Sequence, residues 1–114
     1  MSDQLPDLDP DTQHMLRELM GVNHGLLVQT FLQDIQQRQA DLHRALAHSD
    51  WEQLRRTAHS LRGSCADMGA LALQQACAEA EAAAANHDAQ TAIRCCERID
   101  QLCLRLCGQL VSHS

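Results

Sequence analysis

Residues 51–69 read Trp51-Glu52-Gln53-Leu54-Arg55-Arg56-Thr57-Ala58-His59-Ser60-Leu61-Arg62-Gly63-Ser64-Cys65-Ala66-Asp67-Met68-Gly69. The apolar or small residues Trp51, Leu54, Ala58, Leu61, Cys65 and Met68 recur at intervals of three and four. That spacing places them on one stripe of an α-helix, a seam that must be covered by other helices. Asp50 with Gln53 reads as a capping pair at its start, and Gly69 as its stop. The stretch therefore predicts a helix packed among helices, and the flanking sequence supplies them.

Upstream, Asp9 followed by Pro10 is a helix start, since a proline at the first helical position gives up an N–H that has no partner there anyway. A short helix follows through Met15, Leu16 and Leu19, with Gly21 as its end. Asn23 is the expected cap of a long second helix carrying Leu27, Val28, Phe31, Ile35, Leu42 and Leu46. It ends near His48, some 25 residues or roughly 37 Å on. Downstream, Leu73, Ala76, Cys77, Ala80 and Ala84 give a fourth helix with a small-residue face that lets a neighbour approach closely. Asn86-His87-Asp88 forms the next turn, with Asp88 as cap. A fifth helix from Ala89 to about Val111 carries Ile93, Cys96, Ile99, Cys103, Leu106 and Leu110. Short connections between long amphipathic helices imply antiparallel neighbours. The expected fold is all-α, an antiparallel up-down four-helix bundle with a short additional N-terminal helix over one end. Residues 1–114 form one domain, with 1–9 as a poorly ordered lead-in.

Composition agrees. The 114 residues include sixteen Ala, seventeen Leu and thirteen Gln against three Val, three Ile, four Thr and two aromatic residues, Phe31 and Trp51. A β-sandwich or barrel requires the residue types that are scarce here. The formal charge is −6, and all nine positive residues are Arg. An acidic chain this poor in aromatics lacks the charge and the stacking faces of a nucleic-acid binder. It also lacks the basic face that holds a helix on an anionic membrane. No apolar run approaches the roughly 18 residues of a membrane span, and the opening MSDQLPDLDPD does not read as a signal peptide. The six Cys fall inside helical patterns without a CxxC, as reduced thiols of a cytoplasmic protein would. The starting Met and the tidy end lean toward a free-standing protein, expected to be a monomer.

The chemistry-bearing residues divide unequally. Cys103 and Cys107 share a helix face with Cys96, but no second helix offers matching ligands, and Glu-x-x-His pairs are absent. Free Cys packs as a small hydrophobe, so no metal site is expected. The motifs of serine hydrolases, zinc peptidases and phosphate-binding loops are missing, which leaves no intrinsic cofactor. His59 stands apart. It lies one position beyond Ala58, on the flank of the buried stripe. Arg55 and Arg62 share its side of the helix, and Arg56 is near. Residues 51–66 hold three Arg and one Glu on an acidic chain. Gly63 follows at the position where any side chain would shadow the imidazole, although a mid-helix Gly costs about 1 kcal/mol against Ala. Ser60, Ser64 and Ala66 extend the cleared surface. A neutral imidazole has a lone pair for attack, and Arg stabilises an added phosphoryl group. The residues alone are compatible with a phosphate-accepting His or with an ordinary surface His on an Arg-rich helix.

The segment Thr57-Ala58-His59-Ser60-Leu61-Arg62-Gly63-Ser64-Cys65-Ala66-Asp67-Met68-Gly69-Ala70 resembles the signature of histidine-containing phosphotransfer (HPt) domains. That pattern is Ala-His-x-(Leu/Phe)-(Lys/Arg)-Gly, four further residues, an apolar residue, then Gly. Leu73, Cys77, Glu81 and the Ala-rich run resemble the family's next helix. The resemblance implies that His59 is phosphorylated at Nε2. It also implies that Arg62, in place of the more usual Lys, lies beside the phosphoryl oxygens and that Gly63 gives clearance. Glu81 falls where the family often has a Gln or Glu bonded to the imidazole, an orienting role like that of the Asp in a serine-protease triad. Arg55, Arg56, Ser60, Ser64 and Ala66 would then form the docking face for receiver domains of a hybrid sensor kinase and of a response regulator. The receiver would hold the Mg²⁺, and this chain would be a carrier without kinase activity of its own. Two other readings stand beside the relay: a helical module that docks receivers without being phosphorylated, and a thiol or metal-binding bundle built on Cys96, Cys103 and Cys107.

Overall fold

The computed structural model describes residues 5–113. Five α-helices follow one another: α1 (Pro10–Met20), α2 (His24–Ala47), α3 (Trp51–Met68), α4 (Leu71–Ala85) and α5 (Ala89–His113). No strand occurs among the described residues. Helices α2 to α5 form a ring in which each packs on its neighbours in sequence and α5 closes back on α2. This is the up-down bundle expected from the short connections. The pair α3 and α4 is the closest, because the face of α4 is built from Ala72, Ala76, Ala80, Ala83 and Ala84, all buried. The core between them is filled by Leu54, Leu61, Leu73, Ile99, Leu102 and Leu106, all fully or almost fully buried.

Three interhelical turns are built alike. Ser49, Gly69 and His87 have φ of 50°, 71° and 53°. The N–H after each of them bonds five residues back, Asp50 to Ala45, Ala70 to Cys65 and Asp88 to Ala83, at 2.9 Å in every case. These left-handed residues close the ends of α2, α3 and α4 by satisfying carbonyls that the helix leaves open. Asp50 and Asp88 then start the next helices, accepting from the N–H groups of Gln53 and Thr91 at 3.2 Å. Only half of the expected capping box forms, since the Gln53 side chain donates to Thr57 instead. The Trp51 and His87 rings stack at 5.5 Å, tying the α2–α3 turn to the α4–α5 turn at one end of the bundle.

At the other end, α1 lies over the C-terminus of α3. The Asp9 N–H bonds the Gly69 carbonyl at 2.8 Å, and the buried Gln13 side chain donates to the Met68 carbonyl at 2.6 Å. These are end-of-helix carbonyls of α3, and α1 supplies donors that the helix cannot.

Several expectations need correction. Residues 5–9 are not a loose lead-in: the Pro6 carbonyl accepts from the Ala72 N–H at 3.1 Å, and Arg105 and Gln109 donate to Asp7 at 3.0 and 2.8 Å. The Arg105 hydrogen bond, followed by that of Gln109, holds the Asp7 carboxyl below the usual carboxylate range. Residues 1–4 of that lead-in lie outside the described residues. Asn23 makes no side-chain cap, because a 3₁₀ turn at Gly21–Asn23 runs directly into α2. Ile93 is exposed, and Ala92 and Cys95 face the core in its place. Met15 and Leu19 are exposed too, and of the apolar positions read in α1 only Leu16 packs partly against the core.

All six cysteines are free. Cys65, Cys77, Cys96 and Cys103 sit in the shared interior of α3, α4 and α5. A hydrogen bond with Cys65, together with burial, drives the Cys77 thiol far above its ordinary range. Burial raises Cys96 to about 11 and Cys103 to about 12. Thiols kept protonated this firmly are poor nucleophiles and poor ligands. Among the described residues no three His, Cys, Asp or Glu are grouped so as to hold a metal ion. No helix is long and apolar enough to cross a membrane among those residues.

Candidate functional site

The hairpin of α3 and α4 creates the site by symmetry about its turn. His59 and Glu81 are each eleven residues from Ala70, close to three helical turns, so antiparallel packing brings them to one height. Ala58 and Leu61, both fully buried, fix the face of α3 that looks inward. His59 is left on the rim beside α4. The Glu81 carboxylate meets it there, with Oε2 3.0 Å from His59 Nδ1. The two groups are unequally exposed, the His59 side chain keeping 60% of its surface and Glu81 only 20%. A half-sunken carboxylate thus holds one ring nitrogen, and Nε2 has no hydrogen-bond partner among the described residues.

Arg62 completes the cluster from one turn further along α3. Its Nη2 lies 3.1 Å from His59 Nδ1 and its Nη1 3.4 Å from Glu81 Oε1. The guanidinium therefore spans the His–Glu pair in this structure and does not reach out beside Nε2. Gly63 is exposed, and a Cβ added there would meet nothing within 4 Å. Neither backbone conformation nor packing demands a glycine at that position.

The remaining positions of the expected docking face are spread over two flanks. Ser60 and Ala66 are exposed. Ser64 is half-buried and donates to Asp34 on α2 at 3.2 Å. Arg55 and Arg56 both pair with Glu52, at 2.7 and 3.0 Å. The hydrogen bond from Arg55, then that from Arg56, pulls the Glu52 carboxyl down to about 2. The positive patch read from residues 51–66 is thus weaker in space than in sequence, because Glu52 engages two of its Arg and Glu81 arrives beside the third.

A feature not singled out in the sequence adjoins this face. Met15, Leu19, Val22 and Leu26 are spaced by four, three and four, and all are exposed, Leu19 by 76% and Val22 completely. Their sequence neighbours Leu16 and Leu27 line a groove of about 380 Å³ together with Phe31, Asp34, Ser64 and Met68 among others. The regular spacing of the exposed residues is not one helical stripe, because Met15 and Leu19 lie in α1, Val22 in the 3₁₀ turn and Leu26 in α2.

A family model of the Hpt domain matches residues 26–111. The chain belongs to the Hpt domain family. The crystal structure of histidine-containing phosphotransfer protein B (HptB) from Pseudomonas aeruginosa PAO1 matches this Hpt protein with a TM-score of 0.92 and 31% sequence identity, over 95% of this chain and 94% of the other. A comparison with curated proteins finds no match. As an Hpt protein it is a histidine phosphotransfer component of a phosphorelay, and receiver domains are its class of partner.

Proposed function

We propose that this Hpt protein carries the phosphoryl group on Nε2 of His59, between the aspartates of two receiver domains. The observation that carries the reading is the division of the imidazole: Nδ1 is engaged by the half-sunken Glu81 at 3.0 Å, and Nε2, on a side chain 60% exposed, has no hydrogen-bond partner among the described residues. With the proton on Nδ1, the Nε2 lone pair forms the N–P bond. The P–O bond to the receiver aspartate breaks, and its electron pair stays on the carboxylate. The phosphorylated ring is then cationic, and Glu81, accepting from Nδ1–H, offsets that charge. Because a neutral imidazole is again the leaving group, a second receiver can reverse the step. Phosphoryl transfer of this kind depends on positioning and charge stabilisation. In this reading the Mg²⁺ belongs to the acidic pocket of the receiver, and the chain itself holds no cofactor.

The two partners are the receiver of a hybrid sensor kinase and that of a response regulator. The protein works beside them in the cytoplasm, as a monomer and without kinase activity. The receiver docks over Gly63, Ser60, Ser64 and Ala66, with Arg55 and Arg56 at one edge and the apolar groove of α1 and α2 at the other. The test is label transfer. A receiver phosphorylated on aspartate should leave an acid-labile, alkali-stable label on this protein, and no label from a range of receivers would favour a docking module that is not phosphorylated.

Gly63 offers a second measurement. Nothing in the fold requires it, so Gly63→Ala is expected to raise stability by up to about 1 kcal/mol, read by thermal unfolding. Gly63→Arg should fold as well but cut receiver-dependent transfer at least about tenfold, by filling the surface the partner must reach. Transfer at the wild-type rate in Gly63→Arg would place the interface elsewhere.

A further inference from the structure

Two groups claim one nitrogen. Glu81 Oε2 at 3.0 Å can accept a hydrogen bond from His59 only when Nδ1 carries the proton. Arg62 Nη2 at 3.1 Å can donate to His59 only when Nδ1 presents its lone pair. A neutral imidazole has one proton for its two nitrogens, so these bonds select opposite tautomers. The tautomer Glu81 favours leaves the lone pair on Nε2, where it can attack phosphorus. The one Arg62 favours puts the proton on Nε2 and leaves no lone pair there.

From this geometry we infer that Arg62 is a positioning residue that restrains the resting nucleophile, and this rests on the reading of His59 as the phosphoryl acceptor. Its guanidinium is seated across the pair, with Nη1 3.4 Å from Glu81 Oε1, a buried oxygen with no hydrogen-bond partner among the described residues. From there it weakens Glu81 as an acceptor by neutralising it and competes directly for Nδ1. A phosphoryl group arriving at Nε2 is a stronger anion than the shared carboxylate and draws the guanidinium away. Nδ1 then belongs to Glu81 alone, so the proton is in place when the N–P bond forms. The same side chain restrains the imidazole before docking and stabilises the phosphoryl group after it. A planar fork can bridge two acceptors in this way, whereas a lysine ammonium is a point charge.

The test reads the tautomer directly. Nitrogen-15 NMR of the histidine rings, on the unphosphorylated protein without a partner and at a pH where His59 is neutral, gives the ratio of Nδ1–H to Nε2–H. Arg62→Met is expected to raise that ratio about tenfold, and Glu81→Ala to lower it by a similar factor, the effect of losing one charge-assisted hydrogen bond. Arg62→Lys should fall between wild type and Arg62→Met, and it provides the measurement if the methionine variant fails to fold. Folding of each variant is checked by its amide spectrum. An unchanged ratio in the Arg62 variants overturns the inference. The readout needs no phosphorylation, so it separates from the function itself: a shifted ratio without label on His59 refutes the relay reading only, and label with an unshifted ratio refutes the restraint only.

Discussion

Replacing His59 by Gln is expected to abolish label transfer from a phosphorylated receiver while the melting temperature changes by no more than about 2–4 °C. The loss is complete because an amide nitrogen has no lone pair able to attack phosphorus, and no neighbouring group substitutes for the ring. The stability effect is small because the His59 side chain is 60% exposed, and surface replacements usually fall within about 0.5 kcal/mol. The Gln amide can also still donate to Glu81 Oε2, in place of the bond that His59 Nδ1 makes. Autoradiography after acid and alkali treatment, with calorimetry on the same preparation, decides it. Label remaining on the variant would assign the phosphoryl group to one of the other six histidines. A loss of several kcal/mol would make His59 a structural residue.

Gly69→Val is expected to have the largest effect on stability, about 2–5 kcal/mol. Two costs add. Gly69 has φ 71°, ψ 25°, a left-handed conformation that costs a non-glycine residue about 1–2 kcal/mol and is worse for a β-branched one. A Cβ there would also stand 2.7 Å from the Cβ of Thr12, an atom fixed to the backbone of α1, and relieving such overpacking costs about 1–3 kcal/mol. At roughly 4–6 °C per kcal/mol for a chain of this size, thermal unfolding should shift down by about 10–25 °C. Gly69→Asn separates the causes, because Asn tolerates the left-handed conformation but still carries the Cβ. It should lose only the part due to Thr12. Wild-type stability in Gly69→Asn would mean that the close approach of α1 contributes nothing. The consequence would reach function, since α1 provides Leu16 to the groove beside the proposed docking face.

Much of the architecture was legible because helices are local objects. The seam from Trp51 to Met68, the Asp9-Pro10 start and the Asp50 and Asp88 caps each depend on residues within one or two turns, and each is where the sequence places it. The misread apolar positions share one cause. Ile93, Met15 and Leu19 lie on helical stripes as regular as the buried ones, yet they are exposed, because a period of 3.6 defines a face without naming its cover. Asp7 pairs with Arg105, 98 residues away, and no local rule reaches that far.

The same division runs through the site. His59, Arg62 and Gly63 share one helix, and their spacing alone fixed them as neighbours on an open flank. Glu81 entered the sequence reading through family resemblance and not through spacing. Its contact with His59 is a tertiary fact, set by the register of α3 against α4 about the turn at Gly69 and Ala70. The sequence by itself determined the helices, their order and the set of residues that share the flank of α3 around His59. Only the tertiary structure decided the competition for Nδ1, because the direction of the Arg62 side chain depends on a carboxylate delivered by another helix.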